Sequence, residues 1–318
     1  MDQGKRRFIL LLSDESQEFQ RLQAVDAQRI VRDLDFDVEV LFAANSPRLQ
    51  HAQLAEILAR GESLRPTAIF VQPVAGAETL ETLARQSAAA GIAWTLLNRR
   101  APYMNTLRLE HPQLPIATVS SDQREIGRLQ ARQLLLVLGA HSRRALCIQG
   151  LPDSSAARDR LEGMLSVLSS PAAEAAVQIE IADGDWTEAS GEKAMAAWLK
   201  QRRSLFRRLL RRPTWMPDAL VCQNDHMAVG ARHAAKAAGL DLPVLGVDGL
   251  PEGGQRLVDA GDFKATVIVP PNAGVAIRLV ARHLQNRQPL QADVLLPPIS
   301  YPQLPTLGAR QTSSRLVH

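Results

Sequence analysis

Strand-like runs and helical stretches alternate along almost the whole of this 318-residue chain, and few architectures accept that order. Short apolar runs at residues 8–13, 38–42, 68–72 and 93–97 are separated by amphipathic stretches that begin near Gln17, Ser46 and Glu78. An apolar run of this length bounded by turn signals suits a strand buried on both faces, and strands separated by helices pair in parallel. A second series runs through residues 116–120, 145–149, 177–181, 219–223 and 243–247, again with helical stretches between. The pattern predicts an α/β fold of two similar lobes, each a parallel sheet covered by helices on both faces. Asp122 with Glu125 three residues on reads as a capping-box start for a helix that reaches Leu138, where Gly139 stops it.

The strands of both series run into polar residues. The first series ends in Ser13-Asp14, Gln72 and Asn98-Arg99. The second ends in the segment from Ser154 to Arg160, in Asp185-Trp186, in Asn224-Asp225 and in Asp248. In a parallel sheet these ends share one edge, the place where α/β folds hold ligands, so a cleft between the lobes is expected. Residues 219–230 are the most informative stretch, because Gln223-Asn224-Asp225 sits where a strand hands over to a helix. Asp225 is expected to cap that helix. Asn224, carrying both donors and acceptors, is left to meet a ligand rich in hydroxyls.

Other classes find little support. No apolar run approaches the roughly 20 residues of a membrane span, so stable membrane insertion is not expected. A formal charge of +4, from 37 Lys and Arg against 33 Asp and Glu, is not a nucleic-acid footprint. Cys147 and Cys222 lie in apolar strand-like runs and read as buried free thiols. The polar residues 1–7 lack the apolar core of a secretory signal and leave no room for a DNA-binding headpiece before Phe8. Location is therefore read as cytoplasmic if Met1 is the native start, and as periplasm or cell envelope if the chain is a trimmed form. No His-Glu-x-x-His, phosphate-cradling glycine loop or nucleophile elbow is present, and Asp225 and His226, adjacent at a helix start, point apart. No catalytic residue, metal or cofactor is expected.

Several short motifs stand in register over nearly the whole chain. They are Ser120-Ser121-Asp122 with Gly127, Ala156-Ala157-Arg158-Asp159-Arg160, Gln223-Asn224-Asp225 with Met227-Ala228 and Gly230, and Gly246-Val247-Asp248-Gly249 with Pro251. In order and spacing, from about Phe8 to Asn286, the chain resembles the ribose-binding family of periplasmic sugar-binding proteins, whose lobes also serve as effector domains in the lac repressor family. The resemblance implies a periplasmic-binding-protein fold with a three-strand hinge, closing on a monosaccharide. It places crossovers near Ser121, near Val269-Pro270 and near Tyr301. The first lobe is then residues 1–121 with 270–301, and the second 122–269 with 302–318. Pro270-Pro271 suits a fixed hinge connection.

Carried over position by position, the resemblance gives Ser13, Phe19, Gln72, Asn98, Arg99, Arg160, Trp186, Asn224 and Asp248 as ligand-binding residues. Phe19 and Trp186 would pack on the C–H faces of a sugar ring. The arginines and Asp248 would bond vicinal hydroxyls in pairs. The chain departs from the family at three polar positions: Asn98 replaces an Asp, Gln72 an Asn, and Val269 a Gln. Gln20 stands where a second aromatic is usual. These changes predict an altered sugar or a ligand less polar than ribose.

Two stretches fall outside the pattern. Residues 101–115 read as a long connection, with Tyr103 and His111 on the surface or, as the alternative, at the mouth of the cleft. Residues 195–212 combine an apolar stripe of Met195, Trp198-Leu199, Leu205-Phe206 and Leu209-Leu210 with Arg202, Arg203, Arg207, Arg208, Arg211 and Arg212. A stripe of that kind docks on a sheet and leaves its charges solvated, while a basic helix can also meet an acidic partner. The expected function is the sugar-binding component of an ABC-type importer, with a permease or chemoreceptor as partner. The alternative is a cytoplasmic ligand sensor that signals through a protein partner.

Overall fold

The computed structural model describes residues 6–139, 144–170, 177–208 and 216–315, without the side chains of 203–208 and 310–315. In chain order the elements are β1 (Arg6–Leu12), α1 (Glu18–Arg32), β2 (Phe36–Phe42), α2 (Pro47–Leu58), β3 (Ala68–Val71), α3 (Glu81–Ala89), β4 (Ala93–Leu97), α4 (Tyr103–Glu110), β5 (Ala117–Ser121), α5 (Gln123–Leu138), β6 (Arg144–Gln149) and α6 (Ser155–Leu168). They continue with β7 (Gln178–Asp183), α7 (Glu188–Arg208), β8 (Ala219–Cys222), α8 (Asp225–Ala237), β9 (Val244–Leu245), α9 (Arg256–Asp259), β10 (Thr266–Ile268), α10 (Ala273–Asn286), β11 (Asp293–Leu296), β12 (Ile299–Tyr301) and α11 (Leu304–Arg315).

Two compact units result. The first comprises Met1–Ser121, Asp153–Ala156 and Pro270–Leu296, and the second Asp122–Pro152, Ala157–Val269 and Pro297–His318. Two assignments differ from the expectation. Residues 297–301 belong with the second unit, because β12 pairs antiparallel with β10 rather than with the first sheet. Asp153–Ala156 group with the first unit, where Asp153 Oδ2 accepts from the Gly76 amide at 3.2 Å.

The first unit is a six-stranded sheet in the order β11-β5-β4-β3-β1-β2, parallel throughout. Its interior strand β1 shows why the sequence reads as one apolar run. Phe8, Leu10 and Leu12 enter one core with α1 and α10, while Ile9 and Leu11 enter another with α2, α3 and α4. Side chains alternate along a strand, so a strand covered on both faces must be apolar at every position. Each large side chain so buried stabilises the unit by about 1.5–3 kcal/mol. Residues 103–110 form α4 rather than the expected loop, since Tyr103, Met104 and Leu107 line one side of a short helix and fill the second core. Tyr103 is therefore buried, not a surface residue.

The second unit carries a parallel sheet in the order β7-β6-β8-β9, with the β10–β12 pair attached to its edge by bridges from Leu245 to Ala265 and Asp248 to Ile268. Leu146 and Ile148 face α7 and α8, while Ala145 and Cys147 face α5, α6 and α11. Met195, Trp198 and Leu199 dock α7 on that sheet. Arg202 folds back over the Trp198 ring and pairs with Glu180. The basic and apolar side chains that follow Arg202 lie outside the described residues. Cys147 and Cys222 are free and buried, and burial pushes the Cys147 thiol up to about 12. Asp122 accepts from the Glu125 amide at 2.9 Å and starts α5, which Gly139 ends with φ at +62°.

Candidate functional site

In the first unit, the ends of β3 and β4 bring Gln72, Asn98 and Arg99 together. Asn98 takes the left-handed conformation with φ at +58°, a region that asparagine tolerates better than most residues. Its Nδ2 donates to Gln72 Oε1 at 3.0 Å, and its Oδ1 accepts from Asn272 Nδ2 at 2.5 Å. Arg99, buried beside it, donates from Nη1 to the Asn98 carbonyl at 3.0 Å. Sequence reasoning treated Gln72 and Asn98 as two separate ligand contacts. Here both amides are members of one chain that continues through Asn272 to Gln23.

Gln23 and Asn272 were missed. Gln23 sits at the Phe19, Gln20, Gln23, Ala24, Ala27 spacing of the buried face of α1, and a glutamine on such a stripe is the signal that could have found it. Ser13 and Phe19 are buried next to the β1–α1 turn, and Asn45 donates its amide to the Ser13 carbonyl at 2.7 Å. No described hydrogen bond ties either side chain to the amide chain.

In the second unit Arg160 is the centre. It projects from α6, which lies so close to α5 that a Cβ on Gly127 would meet the Arg160 carbonyl oxygen at 1.9 Å, and one on Gly163 the Arg124 carbonyl oxygen at 2.0 Å. Arg160 Nε donates to Gln123 Oε1 at 2.8 Å, Nη1 donates to the Gln223 carbonyl, and the guanidinium lies 5.5 Å from the centroid of the Trp186 ring. Burial pushes its pKa down to about 10, while the carboxylates of Asp248 and Asp225 act in the opposite direction. Gln123 and Gln223, also missed as site residues, are the groups that hold it. Gln223 is pinned in turn, accepting from the Gly150 amide at 3.0 Å and donating to the Ala157 carbonyl at 3.0 Å.

Trp186 adopts φ at +76°, rare for so bulky a residue, and its ring occupies the space where a Cβ on Gly150 would stand. Asp248 has φ at +115°. Trp186, Asp248 and Asn98 are three of the seven described non-glycine residues held in this sparsely populated backbone region.

The cap role expected of Asp225 falls to Asn224. Asn224 is the helix cap: its Oδ1 accepts from the Met227 amide at 2.9 Å, and its Nδ2 donates to the Trp186 carbonyl at 2.8 Å. Asp225 begins α8 and turns back, accepting from the Gly249 amide and the Thr266 hydroxyl, each at 2.8 Å. Both are preferred cap residues, and only the observed end of β8 decides which one occupies the position. Asp225 therefore braces the turn that carries Asp248, and Asn224 fixes the backbone of Trp186.

The model of the periplasmic binding protein domain matches residues 8–288. The chain belongs to the periplasmic binding protein family. It is 27% identical over 233 residues to a candidate rhizopine-binding protein of Rhizobium meliloti, covering 73% of this chain and 68% of that protein. With the ribose import binding protein of Escherichia coli K12 it shares 24% identity over 249 residues, covering 77% of this chain and 73% of the other. Among solved structures, a Caulobacter myo-inositol-binding protein with myo-inositol bound superposes with a TM-score of 0.74 at 24% identity over 92% of each chain. The expected family and α/β fold hold. No helix among the described residues is long and apolar enough to cross a membrane.

Proposed function

We propose that this periplasmic binding protein family member binds a small hydroxylated ligand, a monosaccharide in the first instance, and serves as the solute-binding component of an ABC-type importer. Its bound form would be handed to a permease, in the periplasm or cell envelope, without any reaction being catalysed.

The observation that supports this most is the Arg160 arrangement. A buried guanidinium, stacked near an indole and balanced by nearby carboxylates, can offer charge-assisted donors to hydroxyl oxygens while the ring takes the C–H face of a sugar. Asp248 supplies acceptors for the hydroxyl protons. Sugars and cyclitols are what the relatives' names and the bound myo-inositol of the Caulobacter protein suggest.

Calorimetry with a ligand found by screening tests the assignment. Asp248→Ala and Arg160→Ala are each expected to lower affinity by roughly 100-fold or more while the free proteins still melt cooperatively. Folded variants that bind as tightly as the parent chain would refute the site.

A further inference from the structure

The amide chain of the first unit has a direction, and the backbone sets it. Gln23 Oε1 meets the amide N–H groups of Asn272 and Ala273 at 2.7 and 2.8 Å, at the N-terminus of α10. A backbone N–H can only donate, so this side-chain atom must be the acceptor and the other one the NH2 group. Gln23 Nε2 then donates to Asn272 Oδ1 at 2.7 Å. That leaves Asn272 Nδ2 as a donor to Asn98 Oδ1, and also to the Val119 carbonyl at 3.2 Å, which can only accept. Asn98 Nδ2 in turn donates to Gln72 Oε1.

Every amide is thereby fixed in one sense, and all four side chains are buried, with Gln72 at 6% exposure the least covered. Gln72 cannot turn over without setting two NH2 groups against each other. Its backbone is held as well, by the Leu11 carbonyl and by Gln50 Nε2, both at 2.9 Å. The group left over is Gln72 Nε2, which makes no hydrogen bond among the described residues.

We infer that Gln72 is a specificity-determining residue that can only donate, its sense imposed by Gln23, Asn272 and Asn98 from the N-terminus of α10. The ligand must turn an accepting oxygen toward it. Polarised amides in series strengthen the terminal donor. A hydroxyl, ether or carboxylate oxygen fits this position, and an ammonium group there is rejected. The ligand class is therefore a polyhydroxylated compound with oxygen at this position, as distinct from its amino-deoxy analogue. Gln23 acts as a positioning residue, and the inference rests on the sugar-binding reading proposed above.

The test uses calorimetry on the full chain with myo-inositol, D-ribose and D-galactose as probes, together with the amino-deoxy and deoxy analogues of each. The parent protein should discriminate by roughly 100-fold or more against an ammonium at one position of the compound it binds. Gln72→Glu keeps the bond from Asn98 but turns an acceptor outward. It should narrow or reverse that discrimination by at least about 10-fold.

Gln23→Glu still accepts from the two backbone amides but has nothing to donate to Asn272. The amides should then reverse in turn, giving up the Val119 bond, and present Gln72 Oε1. This variant should shift the preference in the same direction without touching the ligand, whereas mere loosening would weaken all compounds alike. A probe that binds with its wild-type ranking intact in Gln72→Glu overturns the inference and leaves the sugar reading standing. If no probe or analogue binds the parent protein, the sugar reading falls and takes the inference with it.

Discussion

The two units solve the same problem, a polar edge on an apolar sheet, with different chemistry. Beside the buried Arg99 the first unit uses neutral amides: Gln23, Asn272, Asn98 and Gln72 satisfy one another in series, and these four side chains carry no formal charge. The second uses charge, burying Arg160 against Gln123, the Gln223 carbonyl and the field of Asp248 and Asp225. Amides in series store direction, because each donor must face an acceptor. A buried ion stores a large desolvation cost that only its partners offset. The first arrangement should fail locally when cut, and the second should fail through the whole unit.

The largest effect is expected from Arg160→Met. It leaves the Asp248 and Asp225 carboxylates without their buried cation, and should cost about 3–5 kcal/mol in urea unfolding. A loss under about 1 kcal/mol would mean that the charge is not what organises this unit.

Asp225→Ala comes next, at about 2–4 kcal/mol, because it strands the Gly249 amide and the Thr266 hydroxyl. Amide exchange at Gly249 should rise with it. Were Asp225 only a helix cap, the cost would stay near 1 kcal/mol.

Gln23→Leu cuts the neutral chain at its anchor and orphans two backbone amides, for about 1–3 kcal/mol. Exchange should accelerate at Asn272 and Ala273 and stay unchanged in β6 and β8. Acceleration in both units would erase the contrast drawn above.

Asn224→Ala should be the mildest, near 1 kcal/mol for a lost cap. The Trp186 fluorescence should also shift, because its carbonyl loses the Nδ2 donor.

The strands were legible because each buried run is short, apolar and followed by a polar group. The Asp122 start and Gly139 stop of α5 were legible because their partners lie within four residues. Helix α4 was hidden: its three buried residues sit among Asn105, Thr106 and flanking prolines that look like loop chemistry. The amide chain was hidden for a different reason. Gln23 and Asn272 are 249 positions apart, and nothing local marks them as partners. Asn224 and Asp225 were both visible, but propensity alone could not order two good caps side by side.

The central claim is that this chain binds a small hydroxylated ligand through Arg160 and its neighbours. The most direct measurement is thermal melting of the parent chain and of Arg160→Ala across pentoses, hexoses, deoxy sugars and cyclitols, since a ligand that binds only the folded state raises the melting temperature by mass action. The account predicts a concentration-dependent rise with one class of compound in the parent chain and none in the variant. A parent chain that no compound stabilises, or a rise of equal size in both proteins, would contradict it.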